Sequence, residues 1–257
     1  MIEFTFISYK NIIQTFQSND FKVVTFLEYI KTEKKIGKFL IHRHDVDRFP
    51  LQTQQMARME AANNIKSTYY FRIIPSVFKP EIIREVAALG HEIGYHYEDL
   101  SLCGGDPKKS IEHFERSLDK LREFYPVETI CMHGSPLSKW DNKTIWQQYD
   151  YRQYGIIADT SFDVDYQKVF YITDNGRAWN RTSVSVRDKV DSPYNIPINN
   201  SFHLIDMVNQ GKIPNHVMIN AHPDTFFDFG FKYMLNWAFI ETKNIAKWVI
   251  VKYNLRK

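Results

Sequence analysis

Residues 39–50 read FLIHRHDVDRFP, so the apolar run Phe39 to Ile41 is followed at once by His42, His44, Asp45 and Asp47, two pairs each spaced by one residue. In extended backbone alternate side chains share a face, which sends Asp45 and Asp47 to one side and His42 and His44 elsewhere. Two carboxylates held together repel, and a bound cation or a shared proton relieves that repulsion best. The plainer use of the pair is that one aspartate caps a helix starting at Pro50.

Four more polar side chains fall in comparable places. Arg72 follows STYYF, His96 closes GHEIGYH, His133 lies in MHGSP and His222 in INAHPD, where Pro223 holds the chain extended. The three histidines each have a duller reading: His96 and His133 as core histidines bonded to backbone carbonyls, His222 as a turn residue. Gly134 and Pro136 form a tight turn whose amides could receive an oxyanion. Trp140, in SKWDN, offers either a flat platform for a sugar ring or an aromatic tucked into a loop.

The elements that must position these residues alternate between short apolar runs and amphipathic stretches, the α/β signature. Strands are predicted at Gly37 to His42, Ser67 to Phe71, GHEIGYH, Glu128 to Met132, Gly155 to Ala158 and Val217 to Ile219. Helices are predicted at Asn11 to Ile30, Pro50 to Asn64, Pro80 to Leu89 with Gly90 as its cap, and from Pro107 with Asp106 as its N-cap. The last has Ile111, Phe114, Leu118 and Leu121 at helical spacing. Lys143 to Tyr149, Phe202 to Gly211 and the aromatic-rich Phe231 to Tyr253 complete the helical set. Between about 161 and 197 the helical rhythm fails, and DNGRAWN followed by SVSVRDKV predicts a β-hairpin insertion turning at Asn175 and Gly176. Asp45, Asp47, Arg72, His96, His133 and His222 thus sit at or just beyond the C-terminal ends of different strands. In a (β/α) barrel that end carries the chemistry, and the set amounts to a candidate metal site.

With 33 basic and 30 acidic side chains interspersed for a net charge of +3, no footprint for nucleic acid stands out. The sequence shows no secretory signal and no apolar run long enough for a membrane span, so a soluble cytoplasmic protein is expected. Cys103 and Cys131 are the two cysteines, read as free thiols in a reducing compartment. No linker or repeat divides the 257 residues, which predicts one domain over 1–257.

HDVD, GHEIGYH, HGSP and NAHPD resemble, in the same order and across residues 37–224, four successive motifs of the polysaccharide deacetylase family, GHEIGYH being the most specific. The wording is closest to a deacetylase-like subgroup associated with surface-polysaccharide biosynthesis. The resemblance implies a distorted (β/α)7 barrel and hydrolysis of an N-acetyl group on a sugar or glycan intermediate, assisted by one divalent metal, usually zinc. It makes Asp45 the general base, Asp47 and His96 metal ligands, and His222 the general acid toward the leaving amine. Its second metal-binding histidine falls four residues after the first, where this chain has Leu100. Another group must then complete the site, His133 as first choice and Glu98 as second. His133 also stands where the family carries an arginine that orients the base, and Arg72 is assigned that orienting role.

Two other readings compete. A barrel that binds a glycan without hydrolysing it would explain Leu100 but leaves Asp45, Asp47 and His222 without purpose. A different metal-dependent amidohydrolase would use His42 and His44 as ligands, with Asp224 as its late aspartate.

Overall fold

Parallel pairing is what the short β-branched and aromatic runs of this chain achieve, because most of them are followed by a helix that carries the chain back. The computed structural model describes residues 2–32, 37–135, 138–180 and 190–253. Its strands are β1 (Phe21–Val24), β2 (Lys38–Val46), β3 (Thr68–Phe71), β4 (Glu92–Tyr97), β5 (Thr129–Met132), β6 (Ala158–Asp159), β7 (Phe170–Thr173) and β8 (His216–Ala221). All pair in parallel in the order β6-β5-β4-β3-β2-β8-β7, and β1 joins β2 off that path. One edge of β2 is shared, with Lys38 to Ile41 against β1 and Arg43 to Val46 against β3. Seven strand positions therefore follow one another around a curled sheet, and among the described residues no pairing joins β6 to β7. This is a distorted (β/α)7 barrel left open along one seam.

The helices are α1 (Phe6–Ser18), α2 (Phe26–Lys31), α3 (Pro50–Ala61), α4 (Pro80–Ala88), α5 (Asp99–Leu102), α6 (Pro107–Arg122), α7 (Ser201–Asn209) and α8 (Phe231–Tyr253). The single N-terminal helix expected over Asn11 to Ile30 is instead α1, β1 and α2. Asp20 in the left-handed region, with φ of 66°, stops α1. The FKVV run that follows then finds a partner in β2, and Thr25 starts α2 through a capping box with Glu28. Lys143 to Tyr149 is a 3₁₀ turn, Asn142–Gln147, rather than an α-helix. The first arm of the expected hairpin, Phe170–Thr173, pairs in parallel with β8 as part of the main sheet. Its second arm, over 181–189, lies outside the described residues, as does Pro136 of the HGSP turn.

Strand alternation sorts side chains into two layers. Phe39, Ile41, Tyr70, Cys131, Tyr171 and Met218 meet inside the barrel. Leu40, Val217, Ile219, Tyr69 and Ile93 face the helices outside. The interior is tight enough that a Cβ on Gly94 would lie 2.3 Å from Cε1 of Tyr70. Counting in twos along each strand from its inward core residue reaches Arg43 and Asp45 on β2 and Asp47 just after it, Arg72 after β3, His96 on β4, His133 after β5 and His222 after β8.

His42 and His44 face the other way. They lie in a fully buried polar cluster beneath α1 and α3, where His44 Nε2 is 2.8 Å from Glu60 Oε1 and His42 Nδ1 is 2.7 Å from Ser67 Oγ. Tyr69 donates to Glu60 Oε2 at 2.6 Å, and Tyr9 donates to Glu60 Oε1 and lies 2.5 Å from His42 Nε2. These are hydrogen-bond spacings, and the cluster ties β2 to both helices. The reading that made His42 and His44 the ligands of an amidohydrolase loses both residues to this layer, and Asp224 is ion-paired with Arg48.

Candidate active site

Neither aspartate of HDVD is used as a helix cap. Phe49 is the N-cap of α3, with φ of 50° and no side-chain cap bond, which leaves both carboxylates turned into the barrel mouth. There the side chain of Asp47 faces two imidazoles. Its Oδ1 lies 3.4 Å from His96 Nε2 and 3.5 Å from His133 Nε2, and it is buried with no hydrogen-bond partner among the described residues.

The remaining ring nitrogens are occupied by groups that orient them. His96 Nδ1 donates to the Cys131 carbonyl at 3.0 Å, so in the neutral ring Nε2 carries the lone pair. His133 Nδ1 lies 2.8 Å from Glu98 Oε2, which also accepts from Ser135 Oγ at 3.1 Å. Arg72 holds the other Glu98 oxygen, with Nε at 2.7 Å, and its Nη1 donates to the Asp47 carbonyl at 3.2 Å. Glu98, the second choice for a ligand, is thus engaged behind His133 rather than turned to Asp47.

These residues fit a divalent cation. Three ligands at metal-bond length around one tetrahedral ion stand about 3.3 Å apart, close to the two carboxylate–imidazole spacings found, and carboxylate oxygen with two imidazole nitrogens is a zinc-type donor set. The carbonyl and carboxylate behind the imidazoles are the partners that metal-binding histidines ordinarily have. Burial works against a charged His96, but the Asp45 and Asp47 carboxylates hold it well toward the protonated form. The centre of the triangle therefore favours positive charge. Leu100 is 5% exposed on α5 and contributes none.

Beside this triangle stands Asp45. Arg43 donates to its Oδ1 at 2.7 Å and Asn220 to its Oδ2 at 2.9 Å. Burial pushes the Asp45 carboxyl up, but Arg43, His96 and His222 outweigh it and keep the group below the usual carboxylate range. The arginine that serves Asp45 is accordingly Arg43, and the orienting role expected of Arg72 is corrected: its guanidinium is committed to Glu98. Arg43 was hidden in the sequence between the two conspicuous histidines.

Across the mouth, His222 Nε2 lies 4.0 Å from Asp45 Oδ2. Its Nδ1 is 2.5 Å from Oδ1 of Asp174, a fully buried carboxylate that also accepts from Thr225 Oγ1 at 2.5 Å and from the His222 amide at 3.1 Å. Burial alone would depress the His222 imidazole, yet Asp174 raises it to about 10. Asp174 follows directly on β7, at the same strand-end position as the other site residues. In the sequence Asp174 opens the DNG pattern, whose turn residues hide it as a candidate.

Trp140 is half-buried, and its ring covers Gly105 closely enough that a Cβ there would come within 2.4 Å of Cε2, the tucked arrangement. Cys103 and Cys131 are both free, and Arg43 Nη1 lies 2.8 Å from Cys131 Sγ.

Fold and site together define a parallel (β/α) barrel with a carboxylate–imidazole cluster and, beside it, the Asp45–His222 pair at its C-terminal rim. No family model and no curated protein matches the chain. Among solved structures, the chain is similar to a deacetylase from Streptococcus pyogenes in complex with acetate, at 11% identity and TM-score 0.40, over 49% of this chain and 61%, less than two thirds, of that one. It is similar to a peptidoglycan deacetylase from Bacillus subtilis at 10% identity and TM-score 0.41, over 86% of this chain and 99% of that one. A polysaccharide deacetylase assigned in Mycobacterium smegmatis has 15% identity and TM-score 0.42, over 84% and 86%.

Proposed function

We propose that the chain is a metal-dependent hydrolase that removes an acetyl group, N-linked, from a sugar or glycan intermediate, with one domain carrying the whole site. The observation that supports this most is the pairing of Asp45 with His222, a carboxylate kept ionised and an imidazole kept protonated, 4.0 Å apart beside three side chains disposed as metal ligands. An amide resists water because its carbonyl is a poor electrophile and its amine a poor leaving group. Asp47, His96 and His133 would hold a divalent ion, zinc by their donor set, which would supply Lewis acidity toward that carbonyl and acidity to a water. Asp45, fixed by Arg43 and Asn220, accepts the proton of the attacking water. His222, held in its protonated form by Asp174, delivers a proton to the departing nitrogen.

The test is acetate release from N-acetylated sugar oligomers by protein depleted of metal and then reloaded with zinc, against the Asp45→Asn variant. The reading predicts turnover only in the reloaded wild-type protein. Glycan binding without any acetate would instead support a non-hydrolytic barrel, the use that Leu100 favours.

A further inference from the structure

Helix α8 is built inside out. Of its 23 residues, the buried side chains include Asn236, Ile240 and Asn244, two of them polar, at 6%, 4% and 3% exposure. The outward face carries Phe231, Leu235, Trp237, Phe239, Ile245 and Trp248, all between 43% and 75% exposed. An exposed apolar surface of this extent marks a contact with something other than water.

Two observations point to what covers it. Residues 231–257 contain six basic side chains (Lys232, Lys243, Lys247, Lys252, Arg256, Lys257) and one acidic, Glu241, a net +5. The whole chain is +3, which leaves −2 for the rest, so the positive charge is concentrated on this segment. An aromatic, apolar face combined with local cationic charge is how a helix lies in the interface of an anionic bilayer, and no helix among the described residues is long and apolar enough to cross one. The helix is also continuous with the catalytic cleft, since Ile240, Lys243 and Asn244 line it together with Asp47, His222 and Asp224.

We infer that α8 is an interfacial helix that seats the barrel mouth on an anionic membrane surface, and, resting on the deacetylase reading, that the acetylated sugar it acts on is linked to a lipid. A lipid anchor would place the sugar at the height of the headgroups, where the cleft beside α8 opens.

The test uses the full chain with vesicles of phosphatidylcholine, with and without phosphatidylglycerol. Flotation with the anionic vesicles only is expected, weakened by added salt and reduced about tenfold or more in Leu235→Ser/Trp237→Ser/Ile245→Ser, a variant whose changes are exposed and spare the cleft. Acetate release from a lipid-linked N-acetylated sugar in those vesicles should fall with the flotation, while release from a soluble one should not. No flotation with anionic vesicles overturns the inference, as does a solution dimer of the wild-type chain that the same variant abolishes, which would assign the face to a second copy. Turnover of soluble sugar without flotation would defeat this inference and leave the deacetylase reading standing. Flotation without acetate from either substrate would defeat that reading and the lipid-linked substrate with it.

Discussion

Asp174 and His222 form one unit: a carboxylate with no solvent exposure lies 2.5 Å from Nδ1 and leaves Nε2 directed toward Asp45. Because the folded-state pKa is raised to about 10, the imidazolium persists through neutral pH. Its stabilising contribution is complete below about 6.5, the value of a free histidine, and is lost as the pH rises toward the folded value. Asp174→Asn removes the charge that sustains it. The alkaline limb of the pH–rate profile should move down, toward the ordinary histidine range, and kcat should drop about 10²- to 10⁴-fold. An unmoved limb would show that His222 is not the acid.

The proposed metal triangle has a graded signature. His133→Ala removes a proposed ligand and should abolish tight zinc binding in calorimetric titration. Glu98→Gln leaves all three ligands but loosens the His133 ring, and should weaken affinity about 10- to 100-fold. Equal affinities for wild type and Glu98→Gln would mean that the Glu98 contact does not tune His133.

Arg43 is expected to set the acid limb. With Arg43→Gln, burial of Asp45 is no longer offset by its nearest cation, so its pKa rises from below the usual range. The pH at which activity is half lost on acidification should rise with it. A profile unchanged in its acid limb, at reduced or normal kcat, would argue that Asp45 is not the group titrating there.

Much of this site could be read from residue order alone, because strand parity is a local rule: Asp45, Asp47, His96, His133 and His222 all fall on inward positions at strand ends. What could not be read were relationships across the barrel. Arg72 follows β3, and only the curvature of the sheet decides that it meets Glu98 beyond β4, whereas Arg43 meets Asp45 two residues further along β2 by the parity rule itself. Strand β1 was invisible for a related reason. Its four residues are stable only because half of β2's edge is unfilled by β3, a vacancy that no local propensity announces.

The buried cluster behind the site makes a prediction about stability rather than activity. Glu60 is held in its ionised form against burial chiefly by His44, and His42 is lowered to about 3 by burial. Truncating Glu60 to Ala strands two histidines and two tyrosines without solvent, a change that costs about 3–5 kcal/mol, measurable as a lower urea midpoint. The pH dependence follows from the sign of the shifts. His42 is neutral in the fold but protonates below about 6.5 when unfolded, so its contribution is present above that pH and fades on acidification toward 3. The same holds for Glu60 below its own ordinary range. Per pH unit lost, one such proton corresponds to about 1.4 kcal/mol. His42→Gln, which cannot titrate, should therefore flatten the fall of unfolding free energy between pH 6 and 4 by about one proton relative to wild type. Parallel slopes for the two proteins would mean that His42 enters the fold already charged, and that the cluster is an ion network rather than a neutral one around Glu60.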